Sequence, residues 1–94
     1  MLTLVIYDIS DNSVRNRLIK RLQHYGLHRI QKSGFLGNIS LDDRKLLEEK
    51  LDNFLSSDND SIYVVPLCDR CKDSTSIFSR EVRYLENTHK FRIV

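Results

Sequence analysis

Proline occurs once, glycine three times and cysteine twice in these 94 residues. So little Pro and Gly excludes collagen-like and low-complexity chains. With 40% apolar and 30% charged residues, the composition is not that of a disordered chain either. Cys68 and Cys71 alone cannot build a disulfide framework, and the expected compartment is a reducing cytoplasm. The longest uncharged apolar run, Met1–Tyr7, falls far short of the roughly 20 residues needed to span a bilayer. It carries no basic n-region and no small-residue cleavage site, so neither a signal peptide nor a membrane partner is expected. There is no Walker loop, GxGxxG, HExxH or GxSxG, which argues against NTPases, dinucleotide enzymes, zincins and α/β-hydrolases. His24, His28 and His89 lack ligand spacing and read as surface or structural residues.

What is present fits one small domain over residues 1–94 with a single core. Met1–Tyr7 is apolar on both parities and ends at Asp8, the pattern of a strand buried on two faces. Leu2, Leu4 and Ile6 point one way, and Thr3, Val5 and Tyr7 the other. Ser10, Asp11, Asn12 and Ser13 offer N-caps for a helix over about 12–25. Its buried stripe is Val14, Leu18, Leu22 and Tyr25, widened by Ile19, and Gly26 follows as the residue that ends it. Residues 27–39 read as a hairpin with Lys32-Ser33-Gly34 as a three-residue loop and Gly34 left-handed; one long strand is the alternative. Ser40-Leu41-Asp42-Asp43 is a capping-box pattern before a second helix over about 41–55, with Leu47, Leu51, Phe54 and Leu55 as its apolar stripe. Ser61–Leu67 is another two-sided strand. Residues 69–83 look irregular, with one helical turn near Ile77 and Phe78, and Phe91–Val94 reads as a last strand.

This order is α+β: a ferredoxin-like βαββαβ antiparallel sheet with two helices on one face and an extra C-terminal strand. The second face of such a sheet normally meets water and is polar. Here the central strands are apolar on both parities, Val5, Tyr7, Ile62 and Val64 included, so something must cover it. A second copy related by a twofold axis is the expected cover, with the strand near 91–94 adding to the partner's sheet edge.

Charge is uneven although the net charge is only +2. Residues 10–32 hold Arg15, Arg17, Lys20, Arg21, Arg29 and Lys32 against Asp11 alone, while residues 40–60 are acidic. The pattern suits a polyanion-binding face, or else an ordinary mixed surface. Asp8 closes a buried strand, where a carboxylate is costly unless paired or bound to a cation. It is either a solvated strand-end or capping residue, or a hard oxygen ligand for Mg²⁺. Cys68-Asp69-Arg70-Cys71 supplies two thiols where a structural zinc site needs four ligands. It is open to three readings: inert, an intersubunit zinc site, or redox-active.

Residues 4–11 (LVIYDISD), Arg15-Asn16-Arg17, Tyr25-Gly26-Leu27, residues 29–37 (RIQKSGFLG) and Val65-Pro66-Leu67-Cys68 together resemble the CRISPR-associated protein 2 family, the small adaptation nucleases of CRISPR systems. The resemblance covers nearly the whole chain. It implies a ferredoxin-like homodimer in prokaryotic spacer acquisition, with Mg²⁺-dependent phosphodiester hydrolysis in many members and Mn²⁺ as a possible substitute. It places the metal-binding and catalytic carboxylate on Asp8; in an enzyme built on that carboxylate, Tyr7 is expected to pack behind Asp8 and orient it. It places nucleic-acid contacts on Arg15, Arg17, Arg29 and Phe35. It also implies the CRISPR integrase as a partner, which leaves a second reading: a non-catalytic dimer that bridges two integrase copies and holds DNA by its backbone. RNA and DNA are not distinguished by these residues.

Overall fold

The computed structural model describes residues 1–78 and 92–93. Strand β1 runs Leu2–Asp8, helix α1 Asn12–His24, strands β2 and β3 His28–Gln31 and Gly34–Asn38, and helix α2 Leu41–Leu51. A 3₁₀ turn, Asp52–Phe54, follows α2, and strand β4 runs Ser61–Leu67. The short helix α3, Asp69–Ser74, leads to β5, Ser76–Ile77, which pairs in parallel with β6, Arg92–Ile93. Strands β2-β3-β1-β4 form one antiparallel sheet, the ferredoxin-like arrangement expected from the element order.

Both helices start where a side chain replaces the missing backbone partner. The Val14 amide donates to Asp11 Oδ1 at 3.0 Å and the Asp43 amide to Ser40 Oγ at 3.1 Å. Helix α1 is capped at Tyr25 and followed by Gly26, whose φ of +83° is the left-handed conformation that glycine adopts without strain. Asp42 and Asp43 sit in the first turn of α2, where the helix dipole favours negative charge.

The register of β1 separates the two faces of the sheet. Thr3, Val5, Tyr7 and Ile9 all lie at 3% exposure or less; Val5, Tyr7 and Ile9 pack in the main core with Val14, Leu18 and Leu22 of α1 and with Leu47, Leu51 and Phe54. Ile62 and Val64 of β4 join that same core. The other face carries Leu2, Leu4 and Ile6 beside Leu36, Ile30, Leu67, Val65 and Tyr63. It is apolar and open: Ile6 is 40% exposed, Val65 39% and Tyr63 61%. The exposed residues of this face are thus Ile6, Tyr63 and Val65, with Leu4 half-buried beside them, whereas Val5, Tyr7, Ile62 and Val64 face the helices.

Four local expectations are corrected. The β2–β3 turn has two residues, Lys32-Ser33, because Gly34 already pairs with Ile6 and with Gln31. Gly34 is not left-handed; a Cβ there would lie 3.0 Å from Gln31 Cγ. The second helix tightens to 3₁₀ after Leu51, and this turns Leu55 outward to 42% exposure. Residues 69–74 are helical, and Ser76–Ile77 is extended where a helical turn was expected. Arg92–Ile93 is a strand, as expected, and it pairs with Ser76–Ile77. Phe91, Val94, His89 and residues 79–83 lie outside the described residues.

Candidate functional site

Asp8 ends β1 opposite Ser61, and the alternation of the strand puts it on the open face with Leu4 and Ile6. Its residue is exposed. Tyr7 is on the opposite side. Its ring lies 6.2 Å from that of Phe35, and its hydroxyl donates to the Lys32 carbonyl at 2.7 Å. Burial raises the Tyr7 hydroxyl above its ordinary value, opposed by the positive charges of Arg29 and Arg15. Tyr7 is therefore a neutral donor that ties β1 to the β2–β3 turn, together with the Tyr7 amide donating to the Ser33 carbonyl. It does not lie behind Asp8 as a positioning group. Phe35 pairs with Val5 and is fully buried, so the expected contact with nucleic acid gives way to a core role.

Two of the three expected arginines come together. Arg15 donates from a guanidinium nitrogen to the Ile9 carbonyl at 2.8 Å, and also contacts Asn12 Oδ1. Arg29 donates to the Lys32 carbonyl at 2.9 Å, the same oxygen that accepts from Tyr7. With Asn16, Ile19, Lys32 and Ser33 these arginines line an open cleft of about 500 Å³ between α1 and the β2–β3 turn. Their backbone contacts fix the guanidinium groups while leaving donors for an anion, since each carries five N–H groups. Arg17 lies elsewhere. It lines a separate groove with Lys20, Arg21, His24 and Phe54, so α1 carries basic residues on two sides. The only ion pair among the described residues is Arg44–Glu48 on α2, and it draws on none of these cations.

Asp60 is a residue that the sequence reading passed over. Its carboxylate accepts from the amides of Ser10, Ser56 and Ser57 and from the hydroxyls of the same three serines, at 2.9–3.1 Å. The Ser10 amide, then those of Ser56 and the Ser57 hydroxyl, hold its carboxyl well below the usual carboxylate range. This knot clamps the loop after Asp8 to the turn before β4. Nothing in the sequence signals it, because Ser10 and Asp60 are 50 positions apart.

Asp8 is one hard oxygen donor, and no group of three or more His, Cys, Asp or Glu that could hold a metal occurs among the described residues. No helix among them is long and apolar enough to cross a membrane.

Residues 1–75 match the family described as CRISPR associated protein Cas2. The chain belongs to that family. It is 43% identical over 79 residues to a protein of Archaeoglobus fulgidus named CRISPR-associated endoribonuclease Cas2 1, covering 84% of each chain. A Korarchaeum cryptofilum protein named CRISPR-associated endoribonuclease Cas2 is 43% identical over 67 residues, 71% of this chain and 72% of that one. Among solved structures, one described as a crystal structure of cas2 superposes with a TM-score of 0.61 at 32% identity, over 69% of this chain and 71% of the other. A Streptococcus pyogenes Cas2 structure, at 23% identity and a TM-score of 0.64 over 72% of this chain and 87% of that one, shares the fold.

Proposed function

We propose that this Cas2 family member is a homodimeric, Mg²⁺-dependent endonuclease that hydrolyses phosphodiester bonds, RNA above DNA, in CRISPR spacer acquisition. One observation carries the reading: Asp8 lies on the apolar face that the described residues leave uncovered, so a copy seated on Ile6, Tyr63 and Val65 would also meet Asp8. The endoribonuclease names of its relatives favour RNA.

A single carboxylate fits Mg²⁺ or Mn²⁺ when a second copy supplies another, because Mg²⁺ is held through one or two carboxylates and keeps several waters. Soft metals are disfavoured by an oxygen-only donor set. When bound, the ion would supply positive charge to the scissile phosphate and acidify a water. The chain's own contribution is positioning. Arg15, Arg29 and Lys32 would hold backbone phosphates in their cleft, and the Asp60 knot would fix the loop that follows Asp8. Lys20, Arg21 and Arg17 extend the positive surface along the other side of α1. Such contacts position a nucleic acid without reading its sequence.

A second reading is favoured by the cleft itself. Arg29 shares the sheet face of Phe35, not that of Asp8, so a phosphate backbone can be held there whether or not Asp8 acts. In that case the dimer bridges two copies of the CRISPR integrase. Asp8→Asn keeps the shape and removes the charge. The nuclease reading expects this variant to lose cleavage of single-stranded RNA while its circular dichroism and affinity for RNA stay at parental levels, with EDTA abolishing cleavage by the parent. Cleavage at the parental rate by Asp8→Asn, or by the parent in EDTA, would overturn the Asp8–Mg²⁺ reading, whereas no cleavage by the parent with Mg²⁺ would leave the bridging reading.

A further inference from the structure

The nuclease reading makes no use of Cys68 and Cys71. Both are exposed free thiols directly after β4. Cys68 occupies the residue before α3 and its Sγ accepts from the Cys71 amide at 3.4 Å. The side chains of these two positions meet over the first turn of a helix, which is why a capping box pairs them. In a regular turn their Cα atoms would be about 5 Å apart, within the range of about 4.4–6.8 Å that a disulfide spans. A metal is less well served: zinc needs four ligands, and no third or fourth acidic, His or Cys ligand joins the pair among the described residues.

We propose that Cys68 and Cys71 form a vicinal dithiol that closes reversibly to an intramolecular disulfide by exchange with a small-molecule disulfide. The order of events follows from the two environments. The Cys71 amide, then the Cys71 side chain, stabilise the Cys68 thiolate and lower its pKa, while the contact with Cys68 raises that of Cys71. Cys68 thiolate attacks one sulfur of the external disulfide, forming a mixed disulfide and releasing one thiolate. Cys71 then loses its proton and attacks the Cys68 sulfur, releasing the second thiolate. The protein's two thiols are oxidised by two electrons and the external disulfide is reduced to two thiols. The closed ring would span the junction between the end of β4 and the segment that leads to β5.

The test equilibrates the full chain with oxidised glutathione, then measures intact mass and alkylation by iodoacetamide. The dithiol predicts a loss of two hydrogens, no alkylation at either cysteine, and full recovery with dithiothreitol. In Cys71→Ser, a glutathione adduct accumulates on Cys68; Cys68→Ser forms its adduct more slowly. Two still-alkylatable thiols after oxidation would overturn the proposal. So would a covalent dimer on a non-reducing gel, or purified protein whose thiols are masked by stoichiometric zinc. If a serine variant fails to fold, the parent's mass and alkylation decide alone.

Discussion

The two faces of β1 differ although both are apolar. On the helix side every second residue from Thr3 to Ile9 is buried, and α1 and α2 complete the core. On the other side, exposure rises along the strand from Leu2 at 3% through half-buried Leu4 to Ile6 at 40% and exposed Asp8. A soluble antiparallel sheet can leave one face to water when that face is polar. Here the open face has core chemistry, and along β1 it is least covered next to the Asp8 carboxylate. The same strand thus builds the fold with one set of residues and leaves much of the other set at the surface.

Truncation on the two faces should therefore be read by different instruments. Leu18 is fully buried on the helix side. Leu18→Ala should cost about 2–5 kcal/mol in urea unfolding, the range for cavities in cores, whatever the oligomeric state. Tyr63→Ser on the open face should leave the m-value and the secondary structure in place. It should weaken self-association by about tenfold or more, equivalent to about 1.4 kcal/mol, in sedimentation equilibrium. If Tyr63→Ser unfolds the chain as Leu18→Ala does, the two faces are one core and the distinction fails.

Tyr7 and Asp8, neighbours on opposite faces, give a smaller effect. Tyr7→Phe removes only the hydrogen bond to the Lys32 carbonyl. It should lower stability by about 0.5–1.5 kcal/mol and leave cleavage within a fewfold of the parent. Smaller still, each phosphate contact removed by Arg15→Ala or Arg29→Ala should reduce the slope of log affinity against log salt by about 0.7–0.9. Unchanged slopes would make the cleft an ordinary solvated surface. The Asp60 knot adds a pH signature. A carboxyl whose pKa is lowered by folding contributes stability above its unfolded value, and this is lost as pH falls below about 4 towards the native value. Asp60→Asn should flatten that acid limb in thermal unfolding between pH 5 and pH 3, with little change in β1 or α1.

Patterned features were legible in the sequence. The caps Asp11 and Ser40, the end of α1 at Gly26 and the stripe Val14, Leu18, Leu22 all rest on spacing of a few residues, and the structure has them where expected. The two-sided apolarity of β1 and β4 was also legible, but not which parity the helices take. That is fixed by packing across the sheet, and it moved Tyr7 and Phe35 from the expected site into the core. Helix α3 was missed because its cap is a cysteine and none of its residues is buried, so no apolar period marks it. The cleft joins Arg15 to Arg29 and the Asp60 knot joins Ser10 to Ser56 and Ser57; both depend on contacts between distant segments.

Subunit mixing tests most directly whether cleavage needs two Asp8 carboxylates on facing open sheets. Parent protein is allowed to exchange subunits with increasing excess of Asp8→Asn, and RNA cleavage is measured at constant parent concentration with Mg²⁺. The paired site predicts that activity falls as mixed dimers form, approaching zero at large excess. Activity that stays constant while exchange is demonstrated would contradict it, because each Asp8 would then act without its counterpart.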